Sequence, residues 1–316
     1  MTVLVTGGAG FIGSRVAQRL LHSGQSVVII DNFNDYYDPA LKRANIALLE
    51  GGAQVIEGDI RDSELVARVF AEHRITRVAH MAAMAGVRYS AEQGRLYAEV
   101  NTTASVGLMD EARKHDVEVF VQASTSSVYG NTDKIPFVET DTPDWPLAPY
   151  PASKRATELF AHSYYHLYGL NVTVLRFFNV YGPQGRPDMM PIKVIDSIVQ
   201  QQPIRVYDGG QLKRDWTYID DTVEGVLAAL ERPMGYQIIN LGFGAPVALT
   251  EFIEIYEELI GKPAIQTFVP APLTEPQITY CDNTRARELL DFEPKTGLAD
   301  GLAHTWAWYQ AHHGIT

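Results

Sequence analysis

The sequence is short of cysteine, of basic residues and of long apolar runs. Cys281 is the single cysteine among 316 residues, so an internal disulfide is excluded and a reducing compartment is favoured. Lys and Arg number 26 against 38 Asp and Glu, and the net charge of -12 argues against a nucleic-acid partner. No apolar stretch is long enough to cross a bilayer, and no signal peptide precedes the first strand-like run. We therefore expect a cytoplasmic protein with no nucleic-acid and no membrane partner.

Apolar residues are abundant, and in the first half of the chain they form alternating strand and helix patterns. They make up 46% of a chain that is long enough for about two domains. The predicted strands are Thr2–Thr6, Ser26–Asp31, 53–56, Arg77–His80, 117–123 and Val172–Phe177, and the predicted helices include Phe11–His22, Ser63–Glu72 and 98–115. This alternation indicates βαβ units, so the predicted fold class is α/β with a Rossmann-type doubly wound parallel sheet.

The alternation breaks after about Gly182, where Pro and Gly become frequent. We predict a Rossmann domain at 1–181, with a returning segment near 215–245, and a smaller α+β domain at 182–316 that mainly binds substrate.

A glycine loop follows the first strand. Gly7, Gly10 and Gly13 form G-x-x-G-x-x-G directly before the first helix, a pattern that allows a tight turn, close approach to a pyrophosphate and close helix packing. Asp31 ends the next strand, where a carboxylate can bind a ribose 2′-hydroxyl and repel a 2′-phosphate. The combination predicts NAD rather than NADP. Lys42 and Arg43 are expected to be surface or ribose-edge residues.

A second constellation indicates acid–base chemistry. Tyr150 and Lys154 are spaced i, i+4 on a predicted helix that runs to about Gly169, so the ammonium should lie beside the phenol and favour phenolate. Alone, this spacing fits an ordinary surface helix equally well. Thr125, Ser126 and Ser127 follow a predicted strand, however, at the sheet edge where ligands bind. Thr125 could pass a sugar proton to Tyr150.

These motifs, together with 176–183 (RFFNVYGP), resemble the extended short-chain dehydrogenases/reductases, and among them the nucleotide-sugar 4-epimerases. The resemblance implies a catalytic triad of Thr125, Tyr150 and Lys154, contact of Asp59 and Ile60 with adenine, and a backbone-holding role for Asn101. The implied cofactor contacts are Gly7, Gly10, Phe11, Ile12, Gly13, Asp31, Asn32, Asp59, Ile60, Ala82, Ala83, Asn101, Tyr150 and Lys154. It also implies that Arg214 grips the diphosphate of a UDP-sugar and that no metal takes part.

Three segments resemble UDP-glucuronate 4-epimerases more than UDP-galactose 4-epimerases: 31–38, 85–89 and 185–189. A uronate carboxylate needs cationic or hydroxyl partners, and the candidates are Arg88, Arg186, Ser126 and Ser127. For each arginine, diphosphate or surface pairing is an equal alternative. Asn179 is more typical of galactose epimerases, and 274–275 departs from the Gly-Asp pair common in the glucuronate enzymes.

Several alternatives therefore stay open. A UDP-glucose/UDP-galactose or N-acetylhexosamine 4-epimerase fits the same triad, and Thr279 lies where sugar size is gated in that family. A non-catalytic NAD-binding protein fits the fold but does not need an activated phenol. A 4,6-dehydratase is disfavoured because Ser126 and Ser127 replace the acids that it uses. A homodimer through helices 98–115 and 150–169 is expected.

Overall fold

A computed structural model describes residues 1–141 and 144–315, so Thr316, the last residue of the predicted second domain, lies outside the described residues. The strands of the described residues are β1 Thr2–Thr6, β2 Ser26–Asp31, β3 Ala53–Glu57, β4 Arg77–His80, β5 Val119–Thr125, β6 Val172–Phe177, β7 Asn179–Tyr181, β8 Pro203–Tyr207, β9 Lys213–Tyr218, β10 Tyr236–Leu241, β11 Pro246–Ala248 and β12 Ile265–Val269.

Helices fill most of the connections between these strands. They are α1 Phe11–His22, α2 Pro39–Ala47, α3 Ser63–Glu72, α4 Val87–Ser90, α5 Gly94–Tyr97, α6 Ala104–Lys114, α7 Pro149–Tyr168, α8 Met190–Gln200, α9 Ile219–Glu231, α10 Leu249–Ile260, α11 Thr284–Leu290 and α12 Leu298–His313. A π-helical segment, Ala98–Thr103, joins α5 to α6. In the part of the chain that is described, no helix combines the length and hydropathy needed to span a bilayer.

The main sheet is parallel and has the strand order β10-β6-β5-β4-β1-β2-β3. Alternate side chains of β1 enter two different cores: Val3 and Val5 pack on the side of α1 and α9, and Leu4 packs on the side of α3 and α6. Chain order reverses between β1 and β4, so this is the switch point at which α/β sheets open a ligand crevice beyond their carboxyl ends.

The later residues build two small sheets and also complete the large one. β9 pairs with β7 in parallel and with β11 antiparallel, while β12 pairs with β8. β10 returns to the main sheet as an edge strand beside β6. The domain limits drawn at 181 and 182 stay a prediction.

The predicted elements agree with the observed ones over most of the first half. α1 and α3 begin and end where the sequence placed them, and the strand expected at 117–123 lies two residues later, at Val119–Thr125. The prediction of one α-helix over 98–115 is wrong in one respect, because the first turns of this segment are π-helical. α7 carries Pro149 in its first turn and ends at Tyr168, where the following Gly169 caps the helix with a φ of 71° that favours glycine.

Candidate active site

The glycine loop forms a cradle that a side chain would fill. A Cβ at Gly13 would lie 2.1 Å from the carbonyl oxygen of Gly7, and one at Gly7 would lie 2.7 Å from the Ala82 Cα. Gly10 is the N-cap of α1 and has no side chain with which to bond the first helical N–H groups, including those of Phe11 and Ile12. Those groups, at the positive end of the helix dipole, suit a pyrophosphate.

Asp31 is fixed beside this loop by the backbone. Its Oδ2 accepts a hydrogen bond from the N–H of Ala9 (3.0 Å), and its Oδ1 accepts one from the N–H of Phe33 (2.9 Å). The carboxylate is buried at the end of β2. The glycine loop supplies N–H donors for a pyrophosphate, and the adjacent carboxylate supplies acceptors for the hydroxyls of an unmodified ribose, as a dinucleotide site requires. The residues present therefore fit NAD.

The next part of the cofactor region is tied together by Asp59. It accepts hydrogen bonds from Asn32 Nδ2 (2.8 Å) and from Arg61 Nη2 (2.8 Å). Hydrogen bonding from Arg61, against the opposing effect of burial, lowers the pKa of Asp59 to about 2. Sequence reasoning missed Arg61, although an Arg two residues after an Asp is close enough along the chain to suggest that the two side chains pair. Ile60 packs its side chain into the core.

Of the two roles expected for Lys42, surface residue or ribose-edge residue, the surface role is wrong. Lys42 is only 4% exposed, and its Nζ donates to the backbone oxygen and to the Oδ1 of Asn34, both at 2.9 Å. It therefore holds the loop after β2 rather than facing solvent. Arg43 is exposed and pairs with Glu57, as a surface residue does.

Asn101 supports the loop that follows β4. Its Oδ1 accepts from the N–H of Met84 and its Nδ2 donates to the oxygen of Met84, both at 2.9 Å. Its Nδ2 also donates to Ser153 Oγ on α7 (3.0 Å). The π-helical segment places this side chain where it binds the backbone next to Ala82 and Ala83.

His80 has a structural rather than a ligand-facing side chain. Its Nδ1 contacts Thr6 Oγ1 and its Nε2 contacts Ser105 Oγ, both at 2.7 Å, and the ring is fully buried. Burial, together with the charge of Lys154, lowers the pKa of His80 to about 3. The ring is therefore neutral at physiological pH and is not available as a proton carrier.

Tyr150 and Lys154 lie in the first turns of α7 and are both buried. Lys154 Nζ donates to the carbonyl oxygen of Ala123 at 2.8 Å, and burial lowers the pKa of Lys154 to about 8, although Glu158 opposes this. Burial raises the pKa of Tyr150, while hydrogen bonding with Thr125 and the charge of Arg186 lower it. Arg186 thus acts on Tyr150 as a cation, which sequence reasoning had not assigned to it.

The predicted hydroxyl cluster is present at the carboxyl end of β5. Thr125 Oγ1 donates to Ser127 Oγ (3.2 Å) and accepts from the N–H of Ser127 (3.1 Å). Thr125 and Ser126 are buried, and Ser127 is half-buried. Thr125 is thus hydrogen-bonded to Ser127 and also lowers the pKa of Tyr150, so a bound hydroxyl in this cluster has a proton path toward the phenol.

An ion pair that sequence reasoning missed lies behind this cluster. Arg176 Nη2 and Nε donate to Glu158 (2.7 and 3.0 Å), and Ser124 Oγ donates to Glu158 Oε1 (2.6 Å). Both charged side chains are fully buried. Glu158 is four residues after Lys154 and raises its pKa, so this pair supports the charged form of Lys154.

The remaining basic candidates fall into two groups, each paired with an acid. Arg186 binds Asp188 through Nε and Nη2 (both 2.9 Å), and Tyr36 donates to Asp188 (3.1 Å). Arg88 and Arg214 do not lie with Arg186 in one ion-pair group; they share the carboxylate of Glu275. Neither acid was identified from the sequence as a partner of these arginines.

Asn179 and Thr279, the residues that suggested a galactose-type sugar pocket, are in direct contact. Thr279 Oγ1 donates to Asn179 Oδ1 (3.1 Å) and accepts from the N–H of Asp215 (3.1 Å). Asp215 is fully buried and accepts from the N–H of Phe243, Gly244 and Cys281. Burial, despite these hydrogen bonds, raises the pKa of Asp215 to about 6. Asp215 thus joins β9 to the segment that carries Thr279.

A dinucleotide cradle, an i, i+4 Tyr–Lys pair and a hydroxyl cluster on one parallel sheet define the extended short-chain dehydrogenase/reductase class. The family model of the NAD dependent epimerase/dehydratase family matches residues 3–242, and the chain belongs to that family. The predictions of this family, of the α/β Rossmann-type fold and of NAD as cofactor are thereby confirmed.

Relatives of known name agree with this assignment. The chain is 41% identical to a UDP-glucuronate 4-epimerase of Thermodesulfobacterium geofontis, over 96% of this chain and 95% of that protein. The UDP-glucuronic acid 4-epimerase of Bacillus cereus, solved with UDP-glucuronic acid and NAD, is 34% identical with a TM-score of 0.93 over 99% and 100% of the two chains. The UDP-glucose 4-epimerase of Thermotoga maritima, solved with UDP-glucose, is 31% identical with a TM-score of 0.91 over 99% and 100%.

Proposed function

We propose that this chain is an isomerase that converts UDP-glucuronate to UDP-galacturonate by NAD-dependent epimerisation at C4. The observation that carries the proposal is the hydrogen-bonded pair of hydroxyls of Thr125 and Ser127 at the carboxyl end of β5, together with the buried Tyr150 and Lys154 one turn apart on α7. The relatives named UDP-glucuronate 4-epimerase, at about 40% identity, support this choice of substrate.

In the proposed mechanism Tyr150 accepts the proton of the sugar 4-hydroxyl, through or beside Thr125, and later returns it. Bound NAD supplies the acceptor for the C4 hydride and gives the hydride back, so that no net oxidation occurs. Burial keeps the phenol protonated in the protein alone, and Arg186 and Thr125 oppose that effect. A positive nicotinamide ring adds to the same opposition. Arg214 holds the diphosphate while the keto sugar rotates in the site and presents its opposite face to the cofactor.

A uronate substrate places a further demand on the site, because its 4-keto intermediate is a β-keto acid. Loss of CO2 requires the bond to the carboxylate to align with the ketone π system. We assign Ser126, Ser127, Asn179 and Arg186 to holding the carboxylate near the ketone plane. Bidentate pairing with Asp188 fixes the plane of the Arg186 guanidinium, which restricts where it can meet a second carboxylate.

One observation favours a second candidate, a UDP-glucose/UDP-galactose 4-epimerase. Asn179, a residue more typical of galactose epimerases, accepts a hydrogen bond from Thr279, which lies where sugar size is gated in that family. A non-catalytic NAD-binding role gains no comparable support, because a buried phenol with Lys154 one turn away on the same helix suits proton transfer rather than cofactor retention.

The test is incubation of the purified protein with UDP-glucuronate, UDP-glucose, UDP-galactose and their N-acetylhexosamine counterparts, with product analysis. We expect UDP-galacturonate from UDP-glucuronate without release of CO2. Ready interconversion of UDP-glucose and UDP-galactose, with UDP-glucuronate untouched, would refute the uronate assignment and leave the second candidate.

Ser127→Ala tests the carboxylate clamp more directly. We expect less UDP-galacturonate and a larger share of 4-keto-pentose and released NADH, since the β-keto acid can then rotate into the decarboxylating geometry. Any turnover of a substrate without a carboxylate is the control and should change far less. Equal losses for both substrates would contradict the clamp. Arg186→Ala should act in the same direction, but it also removes a cation that lowers the pKa of Tyr150.

We also infer a cytoplasmic homodimer. Large apolar side chains of α7, namely Leu159, Phe160, Leu167 and Tyr168, are exposed along one helix, and a twofold axis would bury such a surface against its copy. The buried, unpaired Cys281 suits a reducing compartment. Light scattering on wild type and Phe160→Glu tests the dimer, since a wild-type monomer would contradict it. Fractionation of the native cell tests the location.

A further inference from the structure

Two of the arginines expected to bind substrate come from distant parts of the chain and meet at one acid. Arg88 lies on α4, after the central strand β4, and Arg214 lies in β9 of a small sheet. Arg88 donates to Glu275 Oε1 through Nε (3.1 Å) and Nη2 (2.8 Å), and Arg214 donates to Glu275 Oε2 through Nη2 (2.9 Å). Each oxygen of the carboxylate therefore serves one guanidinium.

The segment that carries Glu275 is itself fixed to the strand that carries Arg214. Lys213 donates its N–H to the oxygen of Gln277 (3.1 Å), and its oxygen accepts from the N–H of Thr279 (3.1 Å). Glu275 also closes a turn by donating its N–H to the oxygen of Pro272 (3.0 Å). The carboxylate is thus presented from a defined backbone and not from a free loop.

Both arginines keep donors for a further ligand. Arg88 uses Nε and Nη2, while Arg214 uses Nη2 for Glu275 and Nη1 for the oxygen of Lys213 (2.8 Å). With respect to residues 1–141 and 144–315, Arg88 Nη1 and Arg214 Nε have no hydrogen-bond partner. Tyr207 supports the Arg88 guanidinium, which lies 4.9 Å from the ring centroid. A guanidinium has five donors, so a second anion can bind without displacing the first.

Electrostatic repulsion between the two guanidiniums explains why an acid is needed between them. Burial lowers the pKa of Arg214, and the nearby charge of Arg88 lowers it further, whereas Glu275 raises it. Two guanidiniums left without Glu275 would repel each other and move apart toward solvent. One carboxylate between two cations keeps them together and leaves a net positive charge for an anionic ligand.

We propose that Glu275 is a positioning residue that assembles Arg88 and Arg214 into one clamp for the diphosphate of a nucleotide sugar. The proposal rests on the proposed function for the identity of the ligand. Pre-pairing with Glu275 orders both long side chains before the ligand arrives, so that less conformational entropy is lost on binding. In the alternative hypothesis Glu275 competes with the diphosphate for the two arginines. Removal of the acid would then make UDP bind more tightly.

The experiment measures UDP binding by titration calorimetry on the NAD-loaded protein, for wild type, Glu275→Ala, Glu275→Gln and Glu275→Asp. We expect Glu275→Ala to weaken UDP binding by about tenfold or more. Glu275→Gln should lie between it and wild type, because the amide still accepts hydrogen bonds but lacks the charge. Glu275→Asp should recover part of the loss. KM for the UDP-sugar should rise with the UDP dissociation constant while kcat stays within about threefold.

Controls separate this role from a general structural one. Glu224→Gln removes one acid from an exposed pair with Arg19 at 3.7 Å, and it should leave UDP binding unchanged. NAD content and the thermal midpoint show whether each variant is folded. In the Arg88→Ala background, Glu275→Ala should cost much less than in wild type, because the clamp is already broken.

Each result of the UDP titrations supports or contradicts either the clamp or the proposed function. Unchanged or tighter UDP binding in folded Glu275→Ala or Glu275→Gln would overturn the clamp, whatever the enzyme turns over. Weaker UDP binding in a protein that epimerises no UDP-sugar would support the clamp and overturn the proposed function. Wild-type protein that binds no UDP would overturn both.

Discussion

Replacing Lys154 with Met should change the stability of the NAD-stripped protein in a way that depends on pH. Lys154 is 2% exposed, and burial lowers its pKa from the ordinary 10.5 to about 8. The folded protein therefore binds this proton less readily than the unfolded chain does. Between about pH 8 and pH 10.5 the unfolded chain binds more protons than the folded one, so the stability of the folded protein rises with pH across that interval. The destabilisation is therefore complete below pH 8, where both states are protonated, and disappears as the pH rises through 10.5.

The magnitude follows from the size of the shift. One pKa unit corresponds to about 1.4 kcal/mol, so burying the ammonium at pH 7 costs roughly 3 kcal/mol, and at pH 9.5 only about 1 kcal/mol. Met removes this cost of burying the ammonium. It also removes the hydrogen bond to the oxygen of Ala123, and the loss of that bond destabilises the variant by about 1–3 kcal/mol at every pH. Relative to the variant, wild type should therefore gain about 2 kcal/mol between pH 7 and pH 9.5.

The assay is urea denaturation of both proteins at several pH values across that interval, followed by circular dichroism. Lys134→Met makes the same chemical change at a side chain that is 74% exposed, and it is the matched control. Repeating the comparison in a Tyr150→Phe background excludes the phenol as the titrating group. At saturating NAD and pH 7, Lys154→Met should lose at least about a hundredfold in epimerisation rate.

The reasoning would be refuted by a difference between wild type and Lys154→Met that is constant from pH 7 to pH 9.5. A wild-type protein that loses stability relative to the variant over the same interval would refute it equally. Either result would mean that Lys154 is protonated with similar ease in the folded and unfolded chains.

Three further predictions concern single positions. Tyr150→Phe should abolish epimerisation and leave NAD binding largely intact, because only the proton acceptor is removed; activity within about tenfold of wild type would exclude Tyr150 as the base. Asp31→Ala should weaken NAD binding and relax discrimination against NADP in equilibrium titrations, and retained strong selectivity for NAD would contradict this role. Gly13→Ala should weaken NAD binding and lower the thermal midpoint, because the new Cβ would lie 2.1 Å from the oxygen of Gly7. Gly107→Ala on α6, where nothing lies within 4 Å of a Cβ, is the matched control and should be neutral or stabilise by about 0.5–1 kcal/mol.

Much of the Rossmann half could be predicted because its signals are local. The period of apolar residues gave the strands on both sides of α1, and the spacing of Gly7, Gly10 and Gly13 implied the turn that their backbone adopts. Asp31 and the pair of Tyr150 and Lys154 could be located by distance along the chain, since strand ends and helical turns have fixed geometry.

The electrostatic partners of the site could not be predicted in the same way. Glu275 follows Arg88 by 187 residues, and nothing in either local sequence indicates that they meet. The burial of Lys42 depends on the path of the loop after β2, which has no periodicity to read. Arg186 was a candidate for a substrate carboxylate, and only the fold brings it close enough to lower the pKa of Tyr150.

The sequence by itself determined the class of fold and the cofactor, and it supplied the candidate groups for proton transfer, because these follow from short-range backbone geometry and from the chemistry of each side chain. The tertiary structure decided which charges are neutralised and which stay free to act. Arg176 is compensated by Glu158, Arg186 by Asp188, and Arg88 and Arg214 by one Glu275. Coulomb interactions depend on distance and burial, and in a folded chain those quantities are set by long-range packing rather than by separation along the sequence.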